Sequence, residues 1–353
     1  MFIGREKETM KYITFTIPCY NSQDYMRHII DNLVAVGEDI EVIIVNDGSK
    51  DNTGNIADEY EKKYPTIVKA IQKENGGHGS GVMAGIHNGT GMFFKVVDSD
   101  DWVETADVIT MINLIKKHIA EGTNIDLYIT NYVYEHAADN SQYVMHYRDC
   151  LPKDTPFTWS EMKRVKLSTI FLMHSLMYRL DVLKESKMEL PSHTFYVDDI
   201  YAYIPLPYVK KIFYHDLDLY HYFIGREGQS INFDTMCKRY EQQMRVFEIM
   251  FKEFSYKKIK SFPRPLSQYM IKWLMTIAAI TFMTIMGTKK DKEIRKKDYK
   301  VYWGRIKATD KKLYNKIRHR SLCSFAFNIP GYNLKSFVSR KVYMHYQTKL
   351  KLG

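Results

Sequence analysis

Residues 92–103 read MFFKVVDSDDWV. An apolar run delivers Asp98, Asp100 and Asp101 into one turn, so the segment reads as a buried strand with its carboxylates gathered at the carboxyl end. Carboxylates this close can offer oxygens to a hard divalent cation, and such a cation can neutralise a diphosphate. The plainer reading of the same letters is an acidic turn that caps a helix beginning near Thr105.

Working outward, three more apolar runs precede this one: YITFTIPCYN (12–21), closing at Pro18, EVIIVND (41–47) and IVKAIQK (67–73). Between them, residues 23–36 place Tyr25, Met26, Ile29, Ile30, Leu33 and Val34 at helical spacing, with Ser22 as N-cap. GNIADEYEKKY (54–64) predicts a second helix, stopped at Pro65. Further on, 105–120 predicts a helix and DLYITNYVYE (126–135) a strand, whereas 136–200 is mixed and everything beyond Asn232 is helical. Strand–helix alternation at this spacing predicts an α/β fold, a mostly parallel sheet with helices on both faces. Ligands in such sheets sit beyond the carboxyl ends of the strands. Here Pro18–Asn21, Asn46–Asp51 and Asp98–Asp101 crowd those ends.

The composition of the 353 residues, 45% hydrophobic and 26% charged, is that of a folded protein and excludes a disordered chain. Cys19, Cys150, Cys237 and Cys323 lie far apart with no CxxC pair, which argues against a disulfide framework or zinc ribbon and for a reducing compartment. Residues 1–13 lack the apolar core of a signal peptide, so a cytoplasmic location is expected. Charge is uneven. Residues 1–150 hold 13 Lys and Arg against 23 Asp and Glu, and residues 238–353 hold 28 against 7. The basic tail calls for an anionic partner. Inside it, WLMTIAAITFMTIMGT (273–288) is uncharged but shorter than the ~20 residues a membrane span needs, and reads first as a buried bundle helix, with interfacial and spanning alternatives.

Two further motifs stand at strand ends. In VIIVNDGSKDNT (42–53), Asp47 is placed to accept an N–H from a pyrimidine base, while Ser49, Asp51 and Thr53 read as turn and cap residues. The glycine-rich KENGGHGSGVMAG (73–85) lets backbone approach a ligand closely. It has no Gly-Lys-Ser/Thr and follows the third strand, so it is neither a Walker A loop nor a dinucleotide fingerprint.

In this order, IPCYN (17–21), VNDGSKDNT (45–53), the 75–85 segment and DSDD (98–101) resemble the nucleotide-sugar-binding half of family 2 glycosyltransferases with the GT-A fold. The resemblance covers about 10–230. It implies a GT-A domain over 1–235, with a donor half (10–105) and an acceptor half (106–235), followed by a basic, mainly helical region (236–353). It implies a UDP-sugar, or another nucleoside diphosphate sugar, and a divalent metal, Mn²⁺ or Mg²⁺. Carried onto this sequence, Pro18 and Tyr20 line the base, Asp47 binds uracil, Asp98 contacts ribose or metal and Asp100 is the main metal ligand; Asn21, Asn75, Gly77 and Ser99 complete the donor site. One departure stands out. Where many members carry an Arg in an ARN-like run, this chain reads VMAG (82–85), and His78 is the candidate replacement.

HTFYVDDIYAY (193–203) resembles the family's Glu-Asp segment, with Val197 in place of the Glu, Asp198 as the base and Asp199 as the runner-up. YHYFIGREGQSIN (220–232) resembles the segment that closes over the diphosphate, with Arg226 stabilising the leaving group and Gln229 and Ser230 donating hydrogen bonds. His174 either faces the acceptor or is a core histidine. The implied activity is a metal-dependent single displacement with inversion, onto a glycan or lipid-linked glycan acceptor, in capsule, exopolysaccharide or wall-polymer assembly; a protein acceptor is the alternative. The basic tail then suits a lipid-diphosphate-linked glycan or an anionic membrane face reached from the cytoplasm, or else a solvated face or homodimer contact. A nucleic-acid-binding protein explains the tail but not the acidic strand ends, and no reader motif is present. An idle sugar-nucleotide-binding scaffold explains the fold, but not Asp100, Asp198 and Arg226 together.

Overall fold

The computed structural model describes residues 10–137, 139–165, 169–224 and 232–320, with isolated positions between 331 and 341. The four apolar runs become β1 (Ile13–Cys19), β2 (Ile40–Asp47), β3 (Val68–Lys73) and β4 (Phe93–Val96), joined by α1 (Met26–Val34), α2 (Thr53–Lys63) and α3 (His78–Asn88). They lie parallel in the order β3-β2-β1-β4. Every residue of the central β1 is buried, which is why it reads as a continuous apolar run and not an alternating one.

α4 (Thr105–Ala120) leads into β5 (Leu127–His136) and its hairpin partner β6 (Ser141–Met145), then β7 (Pro156–Phe157), β8 (Leu176–Arg179), α5 (Leu180–Ser186), α6 (Asp198–Tyr203) and β9 (Ile212–Ile224). β8 runs antiparallel between β4 and β5 and splices the two halves into one sheet, which continues β5-β9-β7. The sequence of 136–200 looked mixed because its strands are short and serve this splice.

One local expectation is corrected. α1 begins at Met26, not after Ser22, and its first turn has no side-chain cap. Ser22 Oγ is engaged elsewhere: it accepts the Tyr20 N–H at 3.1 Å and meets Ser99 Oγ at 2.8 Å.

Beyond β9 come α7 (Phe233–Lys238), α8 (Tyr240–Glu253), α9 (Tyr256–Ser261), α10 (Arg264–Gly287), α11 (Lys292–Thr309) and α12 (Lys311–Arg320). The apolar 273–288 stretch lies almost wholly in α10, with Trp273, Leu274, Ile277, Phe282 and Ile285 buried. By length and hydropathy α10 could cross a membrane, but 72% of its apolar window is covered by the protein itself. It is the centre of the helical region.

Candidate active site

Asp47 closes β2 and is 2% exposed. Its carboxylate accepts the backbone N–H groups of Gly76 at 2.9 Å and Gly77 at 2.7 Å, and the Lys73 ammonium at 2.6 Å; Asn75 Nδ2 donates to its backbone carbonyl at 2.9 Å. Three of the roughly four acceptor positions of a carboxylate are therefore spent on the glycine loop. Gly77 has φ +82°, a conformation that favours glycine, and α3 starts at the next residue. Gly85 serves packing, not ligand: a Cβ there would lie 2.1 Å from Thr16 Oγ1 on β1.

The ends of β1, β2 and β4 are laced together. Asn21, at φ +51°, donates its N–H to Ser49 Oγ at 2.9 Å, and its side-chain oxygen accepts the Lys50 N–H at 2.9 Å. Pro18 is buried, whereas Tyr20 is 51% exposed, an aromatic face open at the strand ends. Ser99 is tied to Ser22.

In the acidic turn the carboxylates differ. Asp98 Oδ1 meets His78 Nε2 at 2.8 Å. Asp101 is 2% exposed, accepts from the Tyr220 hydroxyl at 2.6 Å and the Phe223 N–H at 2.9 Å, and has its pKa pushed well up by burial and then by Asp100 and Asp98. Beneath them, Lys95 is fully buried. Its ammonium donates to the His174 carbonyl at 2.6 Å and lies 5.2 Å over the Tyr220 ring, and burial pushes it down to about 7.

His174 packs between Tyr220 and Tyr222, each 4.7 Å away between ring centres. Its Nδ1 is buried without a hydrogen-bond partner among the described residues, and burial pushes the imidazole down to about 4. Ligand atoms of Asp98, Asp101 and His174 lie within 4.8 Å of one another. Two carboxylates and a neutral imidazole suit a divalent cation such as Mn²⁺, and the orphaned nitrogen gives that fit a structural reason. Asp100 stands beside this group.

Asp198 and Asp199 occupy the first turn of α6. Asp199 Oδ1 accepts the Trp273 indole N–H from α10 at 3.2 Å, and burial and then Asp198 push its carboxyl up. Asp198 answers to the donor side. Burial raises its pKa, His78 pulls it down and Asp98 raises it further, for a net rise. The converse holds for His78, where burial favours the neutral ring but Asp98, then Asp198 and Asp100, outweigh it. The segment leading into α6 holds two non-glycine residues at positive φ, His193 (+49°) and Tyr196 (+66°), and the His193 N–H donates to the Gly76 carbonyl at 2.6 Å. Strain of this kind costs on the order of 1–3 kcal/mol per residue and gathers at functional sites. Arg226, Gln229 and Ser230 lie outside the described residues.

Sequence reading passed over Lys95 and Tyr220. The only signal was a lysine inside an apolar strand and the alternating Tyr220–Tyr222 pair on β9.

The sequence profile of glycosyl transferase family 2 matches residues 14–179, the stretch that builds β1 through β8. The chain is 31% identical over 160 residues to the glycosyltransferase GlyA of Streptococcus pneumoniae, covering 44% of this chain and 23% of GlyA. It is 26% identical to EpsH of Bacillus subtilis over 66% of this chain and 64% of EpsH. The chain thus spans less than two thirds of the length of these curated relatives. Among solved structures, Staphylococcus aureus TarS 1–349 superposes with a TM-score of 0.60 at 18% identity, over 96% of this chain and 92% of that one. A mannosyltransferase of Pyrobaculum calidifontis, solved with GDP-Man and Mn²⁺, superposes with a TM-score of 0.54 at 12% identity, over 96% and 87%. At these identities the likeness is one of fold, the GT-A fold with a helical C-terminal region.

Proposed function

We propose that this protein is a glycosyltransferase that moves a sugar from a UDP-sugar to a hydroxyl of a glycan acceptor, with inversion, in the assembly of a bacterial surface polysaccharide or wall polymer. The observation that carries the reading is the placement of Asp198, 100 positions after Asp98, in one electrostatic neighbourhood with Asp98 and His78. A displacement needs a base for the acceptor hydroxyl and a stabilised leaving group, and Asp198 on one hand and the acidic turn with His78 on the other support those two roles. TarS has been solved with UDP-GlcNAc, which supports a UDP-sugar as donor here.

Asp98, Asp101 and His174, together with Asp100 as the main ligand that the resemblance implies, would hold a divalent cation. When bound, it supplies charge neutralisation for the diphosphate. The remaining work falls to the chain. Tyr20 offers an exposed ring against the base, and Asp47 fixes the glycine loop where the diphosphate would lie. His78 replaces the family's missing arginine at the phosphates, and Arg226, Gln229 and Ser230 close over them. Asp198, a better base than an ordinary carboxylate because of its burial, takes the acceptor proton as the hydroxyl attacks. Asp199 is held by Trp273 and positions α6. Domain limits of 1–235 and 236–353 are part of this reading. The basic residues of α11 and α12 support an anionic acceptor or membrane face as the partner.

The test is UDP release from a panel of UDP-sugars with Mn²⁺, for the wild type, Asp100→Ala and Asp198→Asn. Slow release from one donor, abolished by EDTA and in Asp100→Ala, is the expected result. No release and no metal-dependent binding of any UDP-sugar removes the assignment.

A further inference from the structure

A cavity of about 290 Å³ opens at the start of α10, away from the acidic turn, lined by Lys163, Arg164, Arg264, Gln268, Tyr269 and Lys272 among others. Four of these six are cationic, and the described residues that line it include no Asp or Glu. Arg264, Gln268 and Lys272 are spaced four apart, so they share one face of α10. Lys163 and Arg164 reach the same space from the segment before β8. The volume is roughly ten times the ~30 Å³ share of a water molecule, room for one or two phosphate groups.

Bringing like charges together without a counter-charge is unfavourable. Lys272 records it: burial, and then Arg164, push its ammonium down to about 8, and its only described hydrogen bond is to the Val165 carbonyl. An oxyanion in the cavity would relieve the repulsion and accept charge-assisted hydrogen bonds from Lys and Arg, the pair best suited to phosphate.

The cavity is coupled to the candidate active site through rigid parts. Tyr269 in its wall accepts the Phe171 N–H at 2.8 Å, three residues before His174. Trp273, next to Lys272, donates to Asp199. Arg264 stands nine residues before Trp273, about 13 Å along the helix at ~1.5 Å per residue. The cavity thus runs along α10 from beside Trp273 to Arg264, a suitable reach for a polymer or a lipid-linked chain.

We propose that this cavity is a phosphate-binding subsite for the acceptor, holding a phosphodiester or diphosphate of the glycan chain one or two units from the reacting hydroxyl. The proposal rests on the sugar-transfer reading for the word acceptor; the anion site stands on the cavity alone.

The test uses the full chain with EDTA and saturating UDP, titrated with inorganic pyrophosphate in a calorimeter. Binding should weaken about tenfold or more in the double variant Arg164→Ala/Arg264→Ala, and stay unchanged in Lys292→Ala/Lys297→Ala, which removes the same charge from α11. All four positions are solvent-facing, and thermal unfolding checks that each variant folds. Equal binding in the wild type and the Arg164→Ala/Arg264→Ala variant overturns the subsite, as does equal loss in the α11 control, which marks a diffuse charge effect. Phosphatidylglycerol vesicles form the second arm. Co-sedimentation that depends on Arg164 and Arg264, without pyrophosphate binding, overturns the acceptor role in favour of a membrane contact. Once a transferring system is in hand, a lipid-diphosphate-linked acceptor and a soluble phosphodiester polymer distinguish the two phosphate sources: KM for the true source rises in the Arg164→Ala/Arg264→Ala variant. Failure of the sugar-transfer reading looks different, because wild type then releases no UDP while the pyrophosphate titration is untouched.

Discussion

The Tyr220 hydroxyl donates to the Asp101 carboxylate at 2.6 Å and accepts the Asp98 N–H at 3.2 Å, across 119 and 122 positions of sequence. One phenol thus fixes both ends of the acidic turn from β9, while its ring lies under Lys95 and against His174.

Tyr220→Phe keeps the ring and removes only those two bonds. It leaves the buried Asp101 carboxylate short of a donor, a loss of roughly 1–3 kcal/mol. Urea denaturation should show a lower midpoint with unchanged slope. A midpoint equal to wild type would mean that Phe223 alone holds Asp101.

The two acids of α6 should separate kinetically. Asp198→Asn is expected to slow transfer by about 10²–10⁴-fold while UDP binding stays near wild type, because only proton removal is lost. Asp199→Asn can still accept from Trp273 and should cost far less. The reverse order in steady-state rates would move the base to Asp199.

Gly85→Ala drives a methyl into Thr16, 2.1 Å from Oγ1 and 2.4 Å from Cγ2. Overpacking of this kind costs about 1–3 kcal/mol, occasionally more. Thr16→Ala in the same chain should recover part of the loss, since it removes the two nearest atoms. A double-mutant cycle with no coupling between positions 16 and 85 would contradict the packing role.

His118 is 5% exposed, bonded through Nδ1 to the Tyr128 hydroxyl at 2.7 Å, and burial lowers its pKa below the ordinary imidazole value. The unfolded chain therefore binds a proton more readily than the folded one. Its contribution is complete above about pH 6.5, the unfolded value, and is lost as pH falls toward the folded pKa. Denaturation midpoints measured from pH 7.5 down to 5 should decline, and less steeply in His118→Gln. Parallel declines in both proteins would assign the effect to other groups.

Much of this was legible in the letters. Buried parallel strands need continuous apolar runs, so β1 to β4 could be read directly, and their polar ends marked the ligand side. Asp98 could be singled out because a strand end is a local event with a local signal, whereas Asp198 came forward only through the resemblance of residues 193–203 to a family segment. The apolar 273–288 stretch was legible as a helix from its unbroken apolar run, but that the protein itself covers 72% of the apolar window was not.

Other features depend on neighbours that sequence does not bring together. Ser22 looked like a cap until Ser99, 77 positions away, took its hydroxyl. Asp47 was legible as a carboxylate at a strand end, but not that the glycine loop folds back onto it. The sequence by itself determined the strand order's raw material, the acidic strand ends and the basic tail, because periodicity and composition act within a few residues. Only the tertiary structure decided that β9 reaches back to hold Asp101, that His174 is left with an orphaned nitrogen beside two carboxylates, and that four cations meet at the start of α10. Those are contacts at about 3–5 Å between groups far apart in the chain, and burial, which sets their energies, exists only once the chain has closed around them.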